Sequence, residues 1–180
     1  NLYDAKYEKT SFIKNIIMDN ILPGDIYIKS KELHFATDVQ RVAILIKFLG
    51  RSDIVPFDVI QSMFPDKSRD YVIIVNEFDV VLIKELAQND DIKGVEKLAK
   101  QIADTVSSEF YTKVAIGIGT AVSTIKDLAK SYKEAQIAIE VGKVFDNDKY
   151  ILNYDNLGIG RLIYQLPIKL CELFLKEVFK

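Results

Sequence analysis

Arg41-Val-Ala-Ile-Leu-Ile-Lys-Phe48 is a near-continuous apolar run of strand length, and it constrains the fold more than any other segment. The segments after it alternate in a regular order. Gly50 to Asp53 supplies a turn, and Phe57 to Phe64 reads as a short helix. Tyr71 to Val75 and Phe78 to Lys84 are two further β-rich runs separated only by Asn76-Glu77, the length of a tight hairpin in which Asn tolerates the left-handed conformation. Asp90-Asp91 opens a helix whose acids sit at the positive end of the dipole and whose stripe is Val95, Leu98, Ile102 and Val106. Lys113 to Gly119 is a fourth strand. Residues 41–119 therefore read β-α-β-β-α-β, which predicts an α+β fold: an antiparallel sheet with its helices packed mainly on one face.

The flanks extend this unit. Leu2, Tyr3, Tyr7, Ile13, Ile16 and Ile17 recur at helical spacing, and Leu22-Pro23-Gly24 is expected to stop that helix. Asp25 to Val39 reads as a connector with a short helix from Ile28 to Leu33. Thr124 with Asp127 suggests a capping box ahead of a helix carrying Leu128, Tyr132, Ala135, Ile139 and Val141, and Lys149 to Tyr154 forms a fifth strand. Beyond Asn156 the pattern is helical again, broken by Pro167. The expected organisation is an N-terminal helix and connector over 1–40, the α+β domain over 41–155, and a linker helix over 156–180. The absence of an initial Met and the stop inside a helical pattern suggest an excised fragment.

Composition narrows the function classes. The chain has 180 residues, 49% of them hydrophobic, enough to furnish a full core. A net charge of −2 announces no basic face for nucleic acid, so any contact with DNA would be made by another domain. Cys171 is the single cysteine, which excludes an internal disulfide and fits a reducing, cytoplasmic setting. No stretch approaches the roughly 18 apolar residues of a membrane span. No membrane partner is expected.

Other chemical signals have bland explanations. Gly117-Ile-Gly-Thr-Ala-Val122 begins like a dinucleotide fingerprint, but Val122 replaces the third glycine; glycines that let a helix approach a strand explain it better. Gly158-Ile-Gly160 reads as a bend between domains. His34, the only histidine, has no orienting nucleophile or second ligand and is expected to be a packing or surface residue. Cys171, with Phe174 and Val178, suits a buried or interface position. Asp19, Asp25, Asp90 and Asp91 suit helix capping.

The hairpin Asn76-Glu77-Phe78, the strand Val114-Ala-Ile-Gly-Ile-Gly119 and the later Ala135, Ala138 and Gly142-Lys143 together resemble the ferredoxin-like, nucleotidyl-cyclase fold of GGDEF domains. The opening Phe12-Ile-Lys-Asn-Ile-Ile-Met-Asp-Asn-Ile-Leu-Pro-Gly-Asp-Ile-Tyr27 looks like the segment preceding the degenerate GGDEF-like domain of CdaR/PucR-type regulators of sugar-diacid or purine catabolism. That resemblance implies a helix-turn-helix domain beyond this chain. In diguanylate cyclases the hairpin reads Gly-Gly-Asp-Glu-Phe: the glycines let the backbone approach the nucleotide, and carboxylates hold divalent metal over the triphosphate. Here Ile74 and Val75 stand at the glycine positions, where their branched side chains are expected to fill the space the nucleotide base needs, with Asn76 at the first acid and Ile46 and Lys47 where the second metal carboxylate belongs. Only Glu77 remains.

The resemblance thus implies no catalytic residue, no metal and no cofactor, with Ile74, Val75, Asn76, Glu77 and Phe78 as a degenerate hairpin. The expected role is a non-catalytic regulatory and dimerisation module that relays an effector signal to a separate DNA-binding domain, working as a homodimer. Two alternatives stay open. One is a sensor that binds a nucleotide or small acid without turnover, with Glu77 and Lys47 flanking the old cleft; the other is an active cyclase, which predicts product from GTP and Mg²⁺, where none is expected.

Overall fold

A computed structural model describes residues 2–50, 53–65, 69–144, 150–157, 172–173 and 176–177. Gly158 to Gly160, Pro167 and Cys171, and with them most of the expected linker helix, lie outside the described residues. The elements run α1 (Leu2–Ile17), α2 (Pro23–Glu32), β1 (Gln40–Leu49), α3 (Pro56–Met63), β2 (Tyr71–Ile74), β3 (Asp79–Leu86), α4 (Ile92–Phe110), β4 (Lys113–Ile118), α5 (Leu128–Val144) and β5 (Ile151–Asn153), with 3-10 turns at Ile125–Asp127 and Tyr154–Asn156.

The five strands form one sheet in the order β2-β3-β1-β4-β5. β1 lies at its centre, antiparallel to both β3 and β4, as the β-α-β-β-α-β order requires. The sheet is mixed rather than wholly antiparallel, because β5 joins β4 in parallel after the α5 crossover. Asn153 and Asn156 both donate side-chain N–H groups to Glu96 Oε1, which ties this late strand and its turn to α4.

The helices cover both faces of the sheet, not mainly one. Val42, Ile44, Ile46 and Phe48 pack with Val59 and Ile60 of α3 and Val95, Ala99, Ile102 and Val106 of α4. Ala43 and Leu45 point the other way, into a second cluster with Phe12, Ile13, Ile16 and Ile17 of α1, Ile26 of α2, and Leu128, Tyr132, Ala135 and Ile139 of α5. Successive strand side chains alternate between faces, so a run buried from Arg41 to Ile46 needs a layer on each side. The two N-terminal helices supply part of the second layer and share one core with the sheet.

Pro23 begins a helix instead of ending one. It occupies the first turn of α2, where its missing N–H is needed by nothing, so α2 spans ten residues and not the shorter Ile28 to Leu33 segment. α1 stops by another device: Asp19 is left-handed at φ 59°, while the Asp19 and Asn20 N–H groups return to the carbonyls of Ile16 and Asn15. His34 closes α2 in the same manner at φ 58°, its N–H bonded to Lys31 and that of Phe35 to Ser30. The only histidine is thus an exposed helix terminator that delivers Phe35 to the core.

Gly117 and Gly119 fulfil the packing role. A Cβ on Gly117 would overlap the Ala135 carbonyl, and one on Gly119 the Ser131 carbonyl, so α5 rests directly on the β4 backbone. Thr124 does not form the expected capping box; its hydroxyl donates to Asp127 Oδ2 at 2.9 Å and caps no backbone N–H. Asp91 does cap α4, accepting from Gly94 N at 3.0 Å.

Candidate functional site

The hairpin between β2 and β3 carries Asn76-Glu77-Phe78. Its loop covers residues 75–78 rather than only Asn76-Glu77, and no residue in it has positive φ. Asn76 acts through its side chain: Oδ1 accepts from Phe78 N and Asp79 N, both at 2.9 Å, and Nδ2 donates to Asp79 Oδ2 at 3.0 Å. An Asx turn of this kind reverses the chain without glycine. Glu77 and Phe78 are exposed at the tip.

Ile74 and Val75 part company. Val75 is half-buried against the α1/α5 cluster, while Ile74 remains 46% exposed at the end of β2. Successive residues of an extended chain point to opposite faces, so these two side chains cannot fill the same space. Ile46 and Lys47 divide likewise. Ile46 is fully buried in the α3/α4 cluster, and Lys47 faces the α5 side.

Lys47 lies directly across from Asp79 in the β1–β3 register, and its Nζ is 3.5 Å from Asp79 Oδ1. That oxygen is buried and accepts no hydrogen bond, so the ammonium is its main compensation. The pair forms the floor of a groove of about 290 Å³ whose far wall is α5, with Lys133, Gln136 and Glu140 along it. Tyr132 stands beside this floor, its hydroxyl accepting from Gln136 Nε2 at 3.1 Å. Burial, with the nearby Asp79 charge adding to it, pushes the Tyr132 phenol above its ordinary value.

Sequence reading found Lys47 and the hairpin but missed Asp79 and the α5 wall. Asp79 directly follows Asn76-Glu77-Phe78, yet its pairing with Lys47 depends on the strand register, which no local pattern states. Among the described residues, no three His, Cys, Asp or Glu side chains converge in a way that could hold a metal ion. The groove offers two lysines and two carboxylates, a charged but largely self-balanced surface.

A family model described as GGDEF-like domain matches residues 20–141, from the end of α1 to near the end of α5. Among curated proteins, no match to the chain was found.

Proposed function

The chain belongs to the GGDEF-like domain family, and from that premise we propose that it is a non-catalytic regulatory module that relays a signal to a separate DNA-binding domain in a cytoplasmic transcription regulator of the CdaR/PucR type. The observation that carries the reading is the Lys47–Asp79 pair. At the β1 position where cyclase chemistry would call for a metal-binding carboxylate, the chain presents an ammonium that is already committed to an acid. A cation held there opposes a second cation, and the transition-state charge of phosphoryl transfer would lack its clamp.

The packing of α1 supports the relay. Its Phe12, Ile13, Ile16 and Ile17 are buried against the sheet side that also carries α5, so displacement of α1 from upstream must disturb the hairpin-bearing sheet. That burial also means α1 spends its apolar stripe within its own chain. Deleting residues 2–20 would therefore open the core rather than test association. In this proposal the homodimer surface is the end of the sheet where Leu49, Ile74 and Phe78 are exposed.

Two measurements test the reading. Incubation with GTP and Mg²⁺ is expected to yield no cyclic dinucleotide above a protein-free blank; product formation would overturn it. Sedimentation of the chain should show a dimer that Ile74→Glu with Phe78→Glu converts to monomer, and an unchanged distribution would remove the dimerisation part. A second reading is a sensor that holds a nucleotide or sugar acid without turnover in the groove beside Lys47, where Lys133 and Gln136 and not Glu77 complete the lining. Calorimetry with GTP and with glucarate tests it, and no heat from either leaves the relay alone.

A further inference from the structure

Arg41 lies at the start of the central strand, after Gln40, and is 4% exposed, the only buried Lys or Arg among the described residues. Its backbone bridges to Val122 through Arg41 N to Val122 O at 2.9 Å and Val122 N to Arg41 O at 2.8 Å, which fixes the side chain at one end of the sheet. The guanidinium lies 5.8 Å from the Phe35 ring centre, and Nη2 donates to the Ala36 carbonyl at 3.1 Å. Nε is buried and has no acceptor. Glu85 faces Arg41 across the β1–β3 register, but no ion pair joins them among the described residues. A buried guanidinium is normally neutralised and hydrogen-bonded; this one has a donor unfilled and a counter-charge held at a distance.

Arg41 also lines a cleft of about 380 Å³ between α2 and the segment Ser123 to Lys126. That volume is in the range of small-molecule sites, on the order of 300–1,000 Å³. Ile26, Phe35 and Ile125 make apolar walls, and Lys31 and Lys126 add positive charge. None of the residues lining the cleft is Asp or Glu. The cleft lies at the opposite end of β1 from Lys47 and the hairpin, so it is separate from the groove described above.

We propose that this cleft binds a small organic acid, with its carboxylate on the Arg41 guanidinium and an apolar or aromatic body against Ile26, Phe35 and Ile125. A carboxylate supplies an acceptor for the unfilled donor and a direct counter-charge, which Glu85 gives Arg41 only at a distance, and arginine's planar donor array suits it. The mainly apolar walls favour an acid with an apolar body over a heavily hydroxylated one, whose many hydroxyls lose water on entry. The bound acid bridges α2 to the turn that opens α5, so occupancy stiffens the layer that also contains α1. This site is independent of whether the domain relays to DNA or retains catalysis.

The test uses the 180-residue chain with phenylacetate, phenylacetamide and glucarate as probes, followed by calorimetry and by amide chemical shifts. Phenylacetate should bind saturably and shift the amides of Ser30, Thr37 and Ser123, with the neutral amide and glucarate weaker by about tenfold or more. Arg41→Gln should abolish binding. Should that variant fail to fold, Ser123→Trp, a change at an exposed rim residue that fills the cleft, should abolish binding in a folded chain. Equal binding of acid and amide, binding retained in either folded variant, shifts mapping to the hairpin groove instead, or no saturable binding of phenylacetate would each overturn the proposal.

Discussion

Lys47 and Asp79 face each other across β1 and β3 with Nζ 3.5 Å from Oδ1, a cross-strand ion pair at the hairpin end of the sheet. The pair is partly open to solvent, with side-chain exposures of 29% and 13%, so its worth lies between that of a surface ion pair and a buried one. Lys47→Met is expected to lower stability by about 1–2 kcal/mol, because Asp79 Oδ1 would lose its counter-charge. Adding Asp79→Leu should recover part of the loss. A denaturant double-mutant cycle that came out additive would show that the two residues are not coupled.

The contact of β4 with α5 predicts opposite outcomes for two glycines. Gly117→Ala would drive a Cβ into the Ala135 carbonyl, a backbone group that cannot swing away, so a loss of about 3 kcal/mol or more is expected. Gly94 in the first turn of α4 has only Asp91 Oδ1 near its missing Cβ, at 3.7 Å. Gly94→Ala should leave stability unchanged or raise it by up to about 1 kcal/mol. Equal melting temperatures for the two variants would disprove the close approach.

Ser131 is a fully buried polar link between α5 and the sheet. Its hydroxyl accepts from Ala43 N at 3.0 Å and donates to the Thr120 carbonyl at 2.8 Å. Ser131→Ala leaves both backbone groups without that partner, which should cost about 1–3 kcal/mol. Hydrogen exchange should localise the effect: the Ala43 amide is expected to lose protection, while that of Ile102 in α4 changes only as global stability does.

Alkaline pH should weaken the fold through two phenols. Burial raises Tyr71 and Tyr132 above the ordinary value of 10.0; the Asp79 charge adds to the rise at Tyr132, and Arg41 partly offsets it at Tyr71. A raised folded-state value means that the unfolded chain releases its proton first as pH climbs. The stability contribution is therefore complete below pH 10.0 and lost as pH rises from there through the folded-state values. Tyr132→Phe should flatten the fall in urea midpoint above that pH. A fall as steep as in the parent chain would assign it to other groups.

Much of the fold was legible in the chain because it is written locally. The apolar run at β1, the stripe of α4 and the order of strands and helices from residue 41 to 119 arise from periodicities of 2 and 3.6 within single segments. The pair of glycines on β4 announced close packing for a similarly local reason. Where local signals were ambiguous the reading slipped: Pro23 fits both a helix stop and a helix start, and only the packing of Ile26 into the core decides for the start.

By itself, the sequence determined the element types, their order and the central hairpin. The tertiary structure alone decided that both sheet faces are covered, that β5 runs parallel to β4, and which residues meet: Lys47 with Asp79, Ser131 with Ala43, Arg41 with the walls of an acid-free cleft. The physical reason is that periodicity records only how often a residue is buried. Which groups neutralise one another is set by register and layer packing between segments far apart in the chain, as in the 88 residues that separate Ala43 from Ser131.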